Sequence, residues 1–83
     1  MNIRNNIINY LVDKNYVITT FDDKVYVYKY NFLEIFNNKK IRLKLEVRSV
    51  DIVGENLVIV KMTKDEILIK GDISSIEMND LNG

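Results

Sequence analysis

Residues 40–48 read KIRLKLEVR, an unbroken alternation of charged and apolar side chains. A period of two places every second side chain on the same side of an extended chain, so this pattern fits a strand with one buried and one wet face and does not fit a helix. Ile41, Leu43, Leu45 and Val47 are expected to face in, with Arg42, Lys44, Glu46 and Arg48 facing out. The same period recurs through most of the chain after Asn15. YVITTF is closed by the turn-like DDK at 22–24, and VYVYKY and FLEIF follow, the latter ended by Asn37 and Asn38. SVDIVG, NLVIVKM, EILIK and DISSIEM complete the series.

Short extended runs with turn residues at this spacing predict a mainly β domain. The expected fold is an antiparallel meander of about seven short strands, rolled into a small sandwich or an open barrel. The runs also resemble one another loosely, which keeps a β-solenoid as an alternative. Ahead of them, Ile3, Ile7, Ile8, Leu11 and Val12 fall at helical spacing behind Asn2, a residue suited to an N-cap. A short amphipathic helix is predicted over 1–14, packed on its own domain, on a partner or on a membrane surface. With 83 residues and no linker or low-complexity stretch, the chain is expected to be one domain, 1–83.

Composition narrows the chemistry. The chain has no Cys and no His, which removes the thiol nucleophile, the thiolate metal site, the disulfide and the commonest general base. Twelve basic residues balance twelve acidic ones, so the general positive field of a nucleic-acid binder is missing. The longest apolar run, LVIV, is too short to span a bilayer. The expectation is a soluble cytoplasmic protein without a transmembrane segment of its own. The carboxylates Asp22 and Asp23, Asp51 and Glu55, and Asp65 and Glu66 fall in expected turns and match neither a calcium loop nor a glycosidase pair. No phosphate-binding loop, dinucleotide fingerprint or nucleophile elbow is present, so no catalytic residue, metal site or cofactor is assigned.

Two surface features remain. Lys39, Lys40, Arg42, Lys44 and Arg48 form the one local basic cluster, interrupted by Glu46, and read as a solvated strand face. Tyr26, Tyr28 and Tyr30 fall at alternate positions of one run and are expected in a row on one face. Such a row suits burial, a protein interface, where Tyr is enriched, or base stacking on an OB-like sheet. The balanced charge makes nucleic acid the least favoured of the three.

The segment VGENLVIVKMTKDEILIKGDISSIEM resembles the C-terminal signature of the YabP/YqfC family of small sporulation proteins. That signature is a Gly, then Asn-Leu and an apolar pair, a polar turn with Thr or Ser and acidic residues, x-I-x-I-x-G, and a short final strand. Gly54, Asn56, Leu57, Thr63 and Gly71 match it, together with Ile59, Glu66, Ile67, Ile69, Ile73 and Ile76. The resemblance extends over residues 16–78. The chain lacks the Pro-containing segment common in the family, having no Pro at all.

The resemblance implies a non-enzymatic protein of endospore-forming, low-GC Gram-positive bacteria, made in the mother cell. It further implies a part in assembling the spore envelope, coat or cortex. The expected partner is a protein, with a sporulation membrane protein as the leading candidate, and the expected place is the cytoplasm at or near the forespore membrane. An OB-like single-stranded nucleic-acid module and a self-assembling β-scaffold are the alternatives.

Overall fold

The computed structural model describes residues 16–80. The helix expected over 1–14 lies outside the described residues. Within them the chain forms six strands: β1 (Val17–Phe21), β2 (Lys24–Tyr28), β3 (Phe32–Phe36), β4 (Lys40–Lys44), β5 (Arg48–Met62) and β6 (Glu66–Asp80). All belong to one antiparallel sheet of order β1-β2-β6-β5-β4-β3, which does not close.

Three expectations change. There are six strands rather than about seven, because SVDIVG and NLVIVKM join into β5 while EILIK and DISSIEM join into β6. Gly54 and Gly71 bend these strands without ending them. The order is not a simple meander, since β2 pairs with β6 and the first hairpin sits beside the last strand instead of the third. The solenoid alternative fails, because every pairing is antiparallel between sequence-distinct strands rather than between stacked coils.

The long β5–β6 hairpin is the spine. One of its halves pairs with the β3–β4 hairpin and the other with β1–β2. Three register shifts, at Val53/Gly54, Glu55/Val58 and Ile59/Lys61, curl the sheet between the halves. Curling brings Ile18, Val25, Val27, Ile67 and Ile69 from one half into a single core with Ile41, Leu43, Val50, Ile52 and Leu57 from the other. This is how so short a chain buries apolar side chains without a second sheet.

The two small hairpins also dock by their turns. Gly71 N–H donates to Asp23 O at 3.0 Å. Gly54 N–H donates to Lys39 O, and Leu57 N–H to Asn38 O, each at 2.9 Å. The turns themselves follow from sequence. Asp22 takes φ of 57° in the two-residue β1–β2 turn, a conformation that Asp tolerates. Asn37 Oδ1 accepts the backbone N–H groups of Lys39 and Lys40, each at 2.8 Å. The strand expected to run to Arg48 stops at Lys44. There Leu45 N–H donates to Arg48 O at 2.7 Å, closing a turn that leaves Val47 62% exposed instead of inward.

Candidate interaction surface

Antiparallel register and the two-residue period define the outer face of the β1-β2-β6 half. Its first row runs Phe21, Lys24, Lys70, Val58. The second runs Thr19, Tyr26, Leu68, with Val60 and Lys61 together opposing Leu68 across a bulge. The third runs Val17, Tyr28, Glu66. Phe21, Tyr28, Val58 and Val60 are exposed there. A shallow depression of about 170 Å³ is lined by Phe21, Tyr26, Lys61, Glu66, Ile67 and Leu68.

Tyr26 forms the floor. Its hydroxyl donates to Glu66 Oε1 at 2.6 Å, diagonally across the β2–β6 pair. Burial first, and the Glu66 carboxylate second, push its pKa up to about 12. The phenol is therefore neutral at physiological pH and presents a flat apolar ring beside a fixed carboxylate. Tyr28, 38% exposed, lies opposite Glu66 on the same face.

Tyr30 does not share this face, which corrects the expectation of a three-residue row. β2 ends at Tyr28, and Lys29 adopts φ of 71°, turning the chain. Tyr30 then enters the core, and its hydroxyl donates to Thr63 O at 2.5 Å. Lys29 N–H donates to Asp65 O at 2.6 Å alongside it. Period-two spacing alone could not reveal the reversal, because it assumes that the strand continues.

The positions matched by the sequence signature gather on the β5–β6 hairpin. Gly54, Asn56, Leu57 and Gly71 lie at its bend, and Thr63 lies at its turn. Thr63 Oγ1 accepts the N–H groups of Asp65 and Glu66 at 3.3 and 3.1 Å. Asn56, at φ of 56°, is the extra residue of the bulge that aims Leu57 into the core. A model of the YabP family matches residues 13–83. The chain belongs to the YabP family. Membership of this family of small sporulation proteins points to a sporulation-related role. Neither a curated protein nor a solved structure matches the chain. Among the described residues of this YabP-family protein, no helix is long and apolar enough to cross a membrane.

The basic cluster separates. Arg42 binds Asp51 through both ends of its fork, Nε to Oδ1 at 2.6 Å and Nη2 to Oδ2 at 2.9 Å. Lys40 Nζ lies 3.5 Å from the same carboxylate. Lys39 faces Glu55 at 4.0 Å, and Arg48 pairs with Asp80 at 3.2 Å. Sequence spacing placed Asp51 in a turn, but it sits within β5, directly opposite Arg42 and only 3% exposed. The positive charges of this strand face are thus mostly committed within the fold.

Proposed function

We propose that the chain is a non-enzymatic assembly protein of the spore envelope that binds another protein through the Tyr26–Tyr28 face. The observation carrying this reading is the set of exposed apolar side chains on this half of the sheet, Phe21, Tyr28, Val58 and Val60, together with the depression that Phe21 and Tyr26 help to line. Exposed apolar side chains gathered on one sheet face suit an interaction site, and Tyr is favoured in such sites. The absence of His and Cys from the chain supports a role without catalysis. Membership of the YabP family supports the sporulation setting. The partner in this reading is a membrane protein of the mother cell or forespore, and the protein acts in the mother-cell cytoplasm beside the forespore membrane.

The test is a fluorescent fusion imaged through sporulation, wild-type beside a Tyr28→Ser, Val60→Ser double variant. Both replaced side chains are exposed, so the variant should keep the wild-type circular dichroism spectrum. Wild-type signal at the forespore boundary that turns diffuse in the folded variant is the expected result. Diffuse wild-type signal in vegetative and sporulating cells alike would sink the assembly reading. Boundary signal unchanged in the variant would move the contact to another face.

A further inference from the structure

The two ends of the sheet are finished differently. β3, at one end, carries Glu34 and a register shift between Leu33 and Ile35. A charge and a bulge both discourage a further strand from docking. β1, at the other end, reads Val-Ile-Thr-Thr-Phe. It has no charge, Gly or Pro, and its register with β2 is unbroken from Val17↔Tyr28 to Phe21↔Lys24. Among the described residues, no strand pairs with its other side.

Hairpin geometry identifies the backbone groups on that side. The two-residue turn makes Phe21 and Lys24 the hydrogen-bonded closing pair. Such pairs alternate along an antiparallel ladder, so Val17, Thr19 and Phe21 bond towards β2. The N–H and C=O groups of Ile18 and Thr20 then point to the open edge.

We infer that two copies of the chain join antiparallel through β1, with the two-fold axis at Thr19. Two six-stranded sheets thereby become one continuous sheet. The edge is self-complementary in this register. Thr19 meets Thr19 of the second copy, Val17 meets Phe21, and Ile18 meets Thr20. Thr with Thr and a β-branched residue with an aromatic are favourable cross-strand pairs, and no charge opposes a like charge. Ile18 and Thr20 of each copy supply the backbone hydrogen bonds across the axis. Val17 and Phe21 of both copies extend the outer apolar rows across the junction. An isologous contact closes with two copies, and the guarded β3 edges stop further growth, so the product is a dimer and not a fibre.

The chain contains no Cys, which makes crosslinking clean. Thr19 pairs with its counterpart at a non-hydrogen-bonded site, where the two Cβ atoms are within reach of a disulfide. Mild oxidation should convert most of a Thr19→Cys chain to covalent dimer, while Glu34→Cys on the other edge stays largely monomeric. Light scattering on the wild-type chain should read double the 9.8 kDa monomer mass. Thr19→Lys sets two lysines face to face on the axis and should return the monomer mass with an unchanged circular dichroism spectrum. A wild-type monomer at the highest soluble concentration overturns the inference. So does equal crosslinking from Thr19→Cys and Glu34→Cys, or a dimer that survives Thr19→Lys.

Discussion

Leu57 fills the space beside Gly71. A Cβ placed on Gly71 would lie 2.8 Å from Leu57 Cδ2 and 3.0 Å from both Leu57 Cα and Asn56 O. Leu57 is itself buried, and its N–H is held by Asn38 O, so it cannot retreat without loosening the β3–β4 turn. Gly54 is tighter still, since a Cβ there would lie 2.2 Å from Asp72 O. Gly71→Ala is expected to cost about 1–3 kcal/mol by overpacking, and Gly54→Ala more, because backbone must move. For a domain of this size each kcal/mol lowers Tm by roughly 4–8 °C. Thermal melts of the two variants, with Gly54→Ala the less stable, check the ranking.

The tyrosines should separate by experiment as they do by position. Tyr30 is buried with its hydroxyl on Thr63 O, and burial, then the nearby Asp65 charge, raise its pKa. Tyr30→Phe removes one hydrogen bond and leaves the carbonyl without that donor, a loss of about 1 kcal/mol. Tyr28→Ser touches an exposed ring and should change stability by no more than about 0.5 kcal/mol. Urea melts should shift for Tyr30→Phe and hardly at all for Tyr28→Ser. Equal shifts would contradict the division of the three tyrosines between core and surface.

Alternation made the β class and most inward residues legible, because one strand carries its own period. Ile41, Leu43, Val25 and Val27 are all buried as that period requires. Strand joins were not legible: a Gly after an apolar run reads as an end, whereas Gly54 and Gly71 let β5 and β6 continue through a bend. The β2–β6 pairing was hidden because residues so far apart in sequence leave no local trace, as with Tyr26 and Glu66. Lys29 reversed Tyr30 through one positive φ at a residue type that rarely adopts it. The signature positions were visible as a motif, but their common purpose at the β5–β6 bend required the fold.

Asp51 ties β5 to β4 through Arg42, whose hydrogen bonds are the largest influence lowering the Asp51 pKa. The Arg42 and Lys40 charges act the same way, and burial acts against them. A carboxylate with a depressed folded pKa contributes stability above its unfolded pKa of about 4 and loses it as pH falls through the folded value. Asp51→Asn should lower stability at neutral pH, by on the order of 2 kcal/mol. It should also flatten the decline as pH falls below the unfolded carboxylate value of about 4. Denaturant melts of both proteins at several pH values test this. Parallel declines would mean that other carboxylates set the acid limit.

Tyr26 bears on stability at the alkaline end. Its pKa, raised to about 12 by burial and then by Glu66, exceeds the ordinary tyrosine value of about 10. A group whose folded pKa is raised contributes stability fully below the unfolded value and loses it as pH climbs towards the folded one. Wild-type stability should therefore fall between pH 10 and about 12. Deprotonation there would set a phenolate against the Glu66 carboxylate at the 2.6 Å hydrogen bond. Tyr26→Phe removes that titration and should show a flatter profile over the same window. In the ultraviolet titration of phenolate absorbance, the variant should lose one late-ionising tyrosine and keep the others, the raised Tyr30 among them. Tyr30, also raised by burial, stays late in both proteins, so a late phenolate amplitude undiminished in Tyr26→Phe would place the Tyr26 ionisation earlier and leave that side of the interaction face able to ionise.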